Sequence, residues 1–205
     1  MSPTATFALE QKAGKHARDG MGGHHSAHND TDEWLTPRHV LVALGAPEIF
    51  DLDPCAALSF PERCALRGFT VKDNGWMREW FGRVWLNPPY GRDVGAWLKR
   101  LADHGNGIAL VFARTETEQF HRQVWERASA VLFLEGRLTF LRSNGIPALR
   151  NAGAPSCLIA YGATNLRLLE LVQLPGKLVK LKGETDGKET QGQEAPRAEA
   201  GAVLT

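Results

Sequence analysis

Two consecutive prolines end the apolar run Val84-Trp85-Leu86, and few local features restrict a chain more severely. The stretch reads RVWLNPPYG, from Arg83 to Gly91. Val84, Trp85 and Leu86 suit a buried, pleated strand, because β-branched and aromatic side chains pack well there. Pro88 and Pro89 then fix two φ angles, remove two N–H donors and forbid continuation as sheet or helix. The strand must end in a stiff corner carrying one amide (Asn87), one phenol (Tyr90) and a carbonyl with no ladder partner. A plain turn would explain the prolines alone. The amide and the ring beside them point to a binding function.

The elements around this corner set the fold class. Thr36-Pro37 reads as an N-cap and first-turn pair ahead of Val40, Leu41 and Leu44, giving a short helix ended by Gly45. EIFDLDPCA reads as a strand running into Asp53-Pro54, and FTVKDNG as a second short strand. DVGAWLKRLADHG spaces Val94, Trp97, Leu98 and Leu101 as a helix does. GIALVFA is apolar throughout, as inside a parallel sheet covered on both faces. ETEQFHRQVWERAS and NLRLLELVQL read as helices. AVLFLEGRLTFL and APSCLIAYG read as strands, the last of them expected antiparallel at the end of the sheet. Strands alternating with helices predict an α/β three-layer sandwich.

Composition excludes several classes. With 205 residues, 43% hydrophobic and 23% charged, the chain can bury one ordinary core. No apolar run approaches the length needed to cross a bilayer, so no membrane partner is expected. The opening MSPTATFALEQKAGKHARDG has no apolar core of a secretory signal. Cys55, Cys64 and Cys157 form no C-x-x-C pair, which suits a reduced cytoplasmic setting without a cysteine-bound zinc. Net charge is only +1, yet residues 136–150 carry Arg137, Arg142 and Arg150 and no acid. A nucleic-acid partner is permitted by this, not required. Residues 1–28 lack apolar periodicity and are expected to be flexible, the domain to occupy 29–174, and 175–205 to be a disordered tail. His24, His25 and His28 lie in the first segment. They have no carboxylate or cysteine at fixed spacing, so no metal site is expected, and the segment reads as disorder or as a cover over a ligand.

In an open α/β sheet, ligands bind outside the carboxyl ends of the strands. Three expected strand ends here are polar or carry proline: Asp53-Pro54-Cys55-Ala56, Asp73-Asn74-Gly75 and Asn87-Pro88-Pro89-Tyr90. A carboxylate at such an end can accept hydrogen bonds from a hydroxyl, an amine or an ammonium group. Two carboxylates beside the proline corner indicate a cofactor pocket.

On these residues the chain resembles the phage-type DNA N6-adenine methyltransferases. The matching stretches are DEWLTP (Asp32 to Pro37), FDLDPCA (Phe50 to Ala56), DNG (Asp73 to Gly75) with Trp80, VWLNPPYG (Val84 to Gly91), ALVFARTET (Ala109 to Thr117) and GRLTF (Gly136 to Phe140). They follow the family's order and span roughly residues 30–162. The resemblance implies a Rossmann-like class I methyltransferase with an abbreviated, mostly parallel sheet. It also implies S-adenosylmethionine as cofactor, double-stranded DNA as partner, a phage or prophage origin and the cytoplasm of a bacterial host. Trp34, Thr36 and Pro37 would line the methionine end of the cofactor with Asp53, Pro54, Cys55 and Ala56, and Asp73 would reach its adenosine. Tyr90 would stack on a flipped base, with Phe140 packed against it. Arg114, Arg137 and Arg142 would meet DNA. Oligomeric state and recognition sequence are not implied.

Chemistry accounts for the corner. An exocyclic amine on adenine is a poor nucleophile, since its lone pair is delocalised into the ring. Asn87 and the Pro88 carbonyl can accept its two N–H bonds and draw the nitrogen towards tetrahedral geometry; Pro89 stiffens the pair. No strong base is needed. Asparagine in place of aspartate keeps the acceptor oxygen and removes a charge. The target lies inside a duplex and must be flipped out. Two further readings remain: the same chemistry on RNA adenine or on a protein glutamine amide, and a non-catalytic DNA-binding module that retains the fold. Two departures stand out. Asp-Pro-Cys-Ala replaces the glycine-rich turn common in methyltransferases, and too few residues separate Cys55 from Asn87 for two strand–helix units, so the sheet should be abbreviated there.

Overall fold

The structure, a computed structural model, describes residues 34–58 and 63–181. The segment 1–28, with its histidines, and residues 182–205 lie outside the described residues.

Helix α1 spans Arg38–Leu44 and buries Val40, Leu41 and Leu44. Its N-cap is Pro37, one residue later than the sequence suggests, and no side chain caps it. Thr36 is therefore released from the capping role. Gly45 closes the helix at φ 80, the left-handed conformation that glycine adopts without strain, and its N–H reaches the Leu41 and Val42 carbonyls. The strands β1 (Leu52–Asp53), β2 (Arg67–Gly68) and β3 (Val84–Leu86) follow. Then come α2 (Val94–His104) and β4 (Gly107–Phe112). Helix α3 (Glu118–Phe120), capped by the Thr117 hydroxyl, continues into a π-helical turn over His121–Trp125. The last described elements are β5 (Ala130–Leu134), β6 (Ser156–Tyr161), α4 (Ala163–Leu171) and β7 (Gly176–Lys180).

The seven strands form one sheet in the order β2-β1-β3-β4-β6-β5-β7. The α/β class holds, and the layers are three. On one face α1 and α4 pack Val40, Leu41, Leu166 and Leu169 against Trp85, Ile108, Leu110, Leu132 and Leu158. On the other, α2 and the α3 segment pack Leu98, Leu101, Phe120 and Val124 against Val84, Leu86, Ala109, Val111 and Ile159. Alternate residues of one strand feed opposite cores, which is why β6 is buried along its whole length and β4 along all but its last residue.

Four features correct the sequence expectations. The sheet is mixed rather than mostly parallel: β2, β1, β3 and β4 run parallel, whereas β6 pairs antiparallel with β4 and β5, and β7 antiparallel with β5. The β5–β6 connection carries no helix, so these strands form an antiparallel neighbour pair, with β6 between β4 and β5 instead of at the edge. The second strand is Arg67–Gly68, not the following FTVKDNG, whose Thr70 and Asp73 close a turn on each other. The strand beginning at Ala130 stops at Leu134; beyond Gly136 the chain doubles back as a hairpin in which Leu141 bridges both Pro147 and Leu35. Finally, the domain continues past residue 174: β7 pairs with all five residues of β5, so residues 176–180 are ordered sheet, not tail. Among the described residues no helix lies between β1 and β3, and the sheet is abbreviated there as expected. None of the described helices is long and apolar enough to cross a membrane.

The pairing of β7 generates a test. Truncation after Leu174 should lower the melting temperature by more than about 5 °C relative to truncation after Leu181, since it removes a whole edge strand and bares β5. Equal melting of the two truncations would show that β7 adds nothing to the fold.

Candidate active site

The carboxyl ends of β1, β2 and β3 open on a cavity of about 910 Å³. Its size suits a nucleoside-sized ligand. Segments from distant parts of the chain reach it: Trp34-Leu35-Thr36 ahead of α1, Asp53 and residues 55–58 after β1, much of 63–76 around and after β2, and Asn87-Pro88-Pro89 after β3.

Asn87 is held in one orientation. Its Nδ2 donates to the Trp34 carbonyl at 2.7 Å. The amide is planar, so this bond turns Oδ1 the other way, and Oδ1 is buried without a partner. An acceptor left in that state costs about 1–3 kcal/mol. The same contact explains the choice of asparagine more fully than charge does: an aspartate oxygen would face the Trp34 carbonyl oxygen with nothing to donate. Pro88 is buried and Pro89 exposed. Thr36, only 2% exposed, also has an unpartnered hydroxyl on the cavity wall.

Asp53 is 5% exposed. Its Oδ1 accepts from the Cys55 N–H at 2.9 Å, an Asx turn that carries the chain round Pro54. Burial pushes its carboxyl up to about 7, and hydrogen bonds from the Cys55 N–H and the Cys64 thiol offset only part of this. Burial, with the neighbouring Asp53, likewise pushes the Cys55 thiol up, so Cys55 is no nucleophile at neutral pH. Gly75 brings the 70–76 loop against β1: a Cβ there would sit 2.1 Å from the Pro54 carbonyl oxygen.

The structure brings Trp34, Thr36, Asp53, Cys55, Ala56, Asn87, Pro88 and Pro89 to one cavity wall. Pro37 and Pro54 shape the backbone at its edge without lining it. Asp73 is not brought in. Its Oδ2 accepts from the Thr70 N–H (2.9 Å) and hydroxyl (2.8 Å), which holds the carboxyl below its ordinary value, while Asn74, Gly75 and Trp76 face the cavity instead. Trp76, Trp85, Trp97 and Cys64 line the cavity as well. The sequence marked Trp85 and Trp97 only as strand and helix residues, because core packing and cavity lining share the same apolar pattern.

Tyr90 sits behind the corner. Its ring lies 4.5 Å from Phe112 and 5.6 Å from Phe140, and its hydroxyl is buried without a partner. Burial pushes that phenol far above its usual value. Phe140 is 3% exposed, so it backs Tyr90 and offers no free face to a base. Arg137 donates to the Ala152 and Gly153 carbonyls across the foot of the hairpin. Arg142 is half-buried with its Nε unpartnered, and Arg114 is exposed after β4. No cluster of three or more His, Cys, Asp or Glu placed to hold a metal ion occurs among the described residues.

A parallel sheet half with its cavity at the strand ends, bounded by an acidic β1 end and a proline corner, places the chain in the Rossmann-like class of α/β proteins. It belongs to the DNA N-6-adenine-methyltransferase (Dam) family, whose model matches residues 23–165. A curated DNA N-6-adenine-methyltransferase of Escherichia phage T1 is 28% identical over 116 residues, covering 53% of this chain and 47% of that protein. The chain thus spans about half the length of that relative. No solved structure matches it.

Asp53 gives this site a pH dependence of definite sign. Its folded value lies above the ordinary 3.8, so the folded state holds the proton more tightly and stability falls as pH rises from about 4 to about 7. Asp53→Asn should therefore melt above the wild type at pH 8, by an amount on the order of 2 kcal/mol, and the gap should close towards pH 4. Thermal melts across that range decide it; a gap independent of pH would refute the assignment.

Proposed function

We propose that the protein transfers a methyl group from S-adenosylmethionine to the N6 amine of adenine in double-stranded DNA. The observation that carries this reading is Asn87: an amide fixed by the Trp34 carbonyl, with its oxygen unpartnered at the end of a strand that two prolines prevent from continuing. Family membership supports a methyl donor and a DNA substrate.

The residues present fit the cofactor. The cavity has nucleoside dimensions, an acidic β1 end, and three buried polar side-chain atoms on its wall with no partner, on Thr36, Trp85 and Asn87. Trp34, Thr36, Asp53, Cys55 and Ala56 form its methionine-side wall, with Pro37 and Pro54 shaping the backbone at its edge, and Asn74 with Trp76 supplies the nucleoside side in place of Asp73. When bound, S-adenosylmethionine supplies an electrophilic methyl group. Asn87 Oδ1 and the Pro88 carbonyl accept the two N–H bonds of the target amine. Their grip tightens as the nitrogen becomes tetrahedral, so it lowers the barrier more than it strengthens ground-state binding. No residue need remove a proton before attack, in keeping with a wall that holds a half-neutral carboxyl at Asp53 and a raised thiol at Cys55. Tyr90 stacks on the flipped base once its ring leaves the Phe112–Phe140 cluster. Arg114, Arg142 and the Arg137-braced hairpin face the DNA, where an unbroken lack of acids over 136–155 favours phosphates. The reading sets the enzyme to work in the cytoplasm of a bacterial host, on DNA of phage or prophage or host.

Labelled methyl from S-adenosylmethionine should enter duplex DNA and appear as N6-methyladenine on mass spectrometry of the digest. Label in RNA or protein alone would overturn the substrate assignment. Asn87→Ala should bind the cofactor nearly as the wild type does and lose about 10²–10³-fold in turnover. Asn87→Asp should fall at least as far, because its carboxylate would meet the Trp34 carbonyl. Tyr90→Ala should instead weaken DNA capture by roughly 1–3 kcal/mol. Methylation by Asn87→Ala at the wild-type rate would reduce the corner to a turn.

A further inference from the structure

Trp85 poses a problem that the transfer chemistry leaves unanswered. It is wholly buried in the middle of the sheet, its ring 5.4 Å from Phe50, yet it lines the cavity and its indole nitrogen has no partner. A phenylalanine or leucine would fill that core position without leaving a donor unpaired. Most of what β3, β4 and β6 pack into this core face is apolar; Ser156 of β6, whose Oγ is also buried without a partner, is the polar exception. An unmade hydrogen bond at a fully desolvated donor is among the costlier defects a core can carry.

The indole is a donor only, so whatever pairs with it must be an acceptor. Thr36, whose hydroxyl is also buried and unpartnered, lines the same cavity. Trp85 is two residues before Asn87 and so projects from the same face of the strand, next to the position where the methyl must be presented. The cavity's arginines, Arg63 and Arg67, are exposed, so the described lining residues include no buried cation to meet an anionic group. Asp53 on the same wall suits a cationic neighbour. Two buried donors and one acidic group along one cavity match the two ends of a zwitterionic amino acid.

We propose that the Trp85 indole N–H, together with the Thr36 hydroxyl, holds the α-carboxylate of the cofactor's methionine part. This rests on the reading of S-adenosylmethionine as cofactor. Trp85 is then a specificity-determining residue: it sorts ligands by the presence of that carboxylate, and it anchors the amino-acid end so that the sulfonium sits beside Asn87.

The test compares S-adenosylmethionine with its decarboxylated form, which differs by that one group, in titration calorimetry without DNA. The wild type should prefer the carboxylated ligand by about tenfold or more, the range for a hydrogen bond to a charged group. Trp85→Phe should erase most of that preference while binding the decarboxylated ligand as the wild type does. Thr36→Val should reduce the preference in the same direction, and stands in if Trp85→Phe does not fold. In nitrogen-edited NMR, the indole resonance missing from Trp85→Phe should move on addition of S-adenosylmethionine and stay in place with the decarboxylated ligand. Equal loss for both ligands would make Trp85 a packing residue and overturn the proposal, as would an unchanged preference in both variants. Failure of the wild type to bind either ligand would instead overturn the cofactor reading itself.

Discussion

The hydrogen bond from the Asn87 amide to the Trp34 carbonyl joins residues 53 apart in sequence, and much of the site depends on it. It fixes which way the amide faces, and so decides that an acceptor rather than a donor is offered at the strand end. It also pins the segment ahead of α1 across the mouth of β3. That segment is held a second time by the paired backbone bonds of Leu35 and Leu141, at 2.9 and 3.0 Å, to the hairpin that follows β5. Leu141 in turn bridges Pro147 within the hairpin. Corner, cavity wall and the hairpin after β5 therefore meet at two consecutive residues, Trp34 and Leu35. A shift at any one of them is felt by the others through backbone hydrogen bonds, which do not stretch far without breaking.

The legible parts of the fold were those whose residues lie between two packed layers. Val84-Trp85-Leu86, GIALVFA and DVGAWLKRLADHG are apolar or amphipathic because the sheet and its helices bury them, and each forms the element its pattern suggests. Elements at the rim gave no such signal. Both residues of β2 are exposed, and Phe69, Thr70 and Val71 beyond it look more like a strand than Arg67-Gly68 does. In β7 the two lysines and the glycine, typical of an edge that resists further pairing, read as the start of a polar tail. The order of β6 and β5 is a matter of which distant strands pair, and a single chain carries no local record of that.

The site divides along the same line. Asn87, Asp53 and Thr36 could be chosen from sequence because polar residues at strand and helix ends have few structural duties there. Asp73 met the same description and was claimed by a local duty, the turn with Thr70. Aspartate does that readily whenever a hydroxyl and an N–H lie three residues back. Trp85 shows the opposite failure. Its apolar body satisfied the strand pattern so well that its one polar atom went unweighed.

These unpaired atoms form a pattern. Thr36 Oγ1, Trp85 Nε1 and Asn87 Oδ1 are all shielded from water on residues that line the cavity at the strand ends, beside the buried Asp53 carboxyl, which has partners. Each lowers the stability of the free protein, and the two cores flanking the sheet must offset the sum. Such a concentration is not what selection for stability alone leaves behind. It is what preorganisation requires: groups desolvated in advance need no rearrangement of solvent when a matching ligand arrives, and they discriminate sharply against a ligand that does not match. The prolines serve the same end from the backbone side, since a corner that cannot relax cannot turn its acceptors to neighbouring N–H groups. Rigidity at residues 87–89 and the unpaired atoms around them are thus one device, in which the fold withholds partners so that the ligand must supply them.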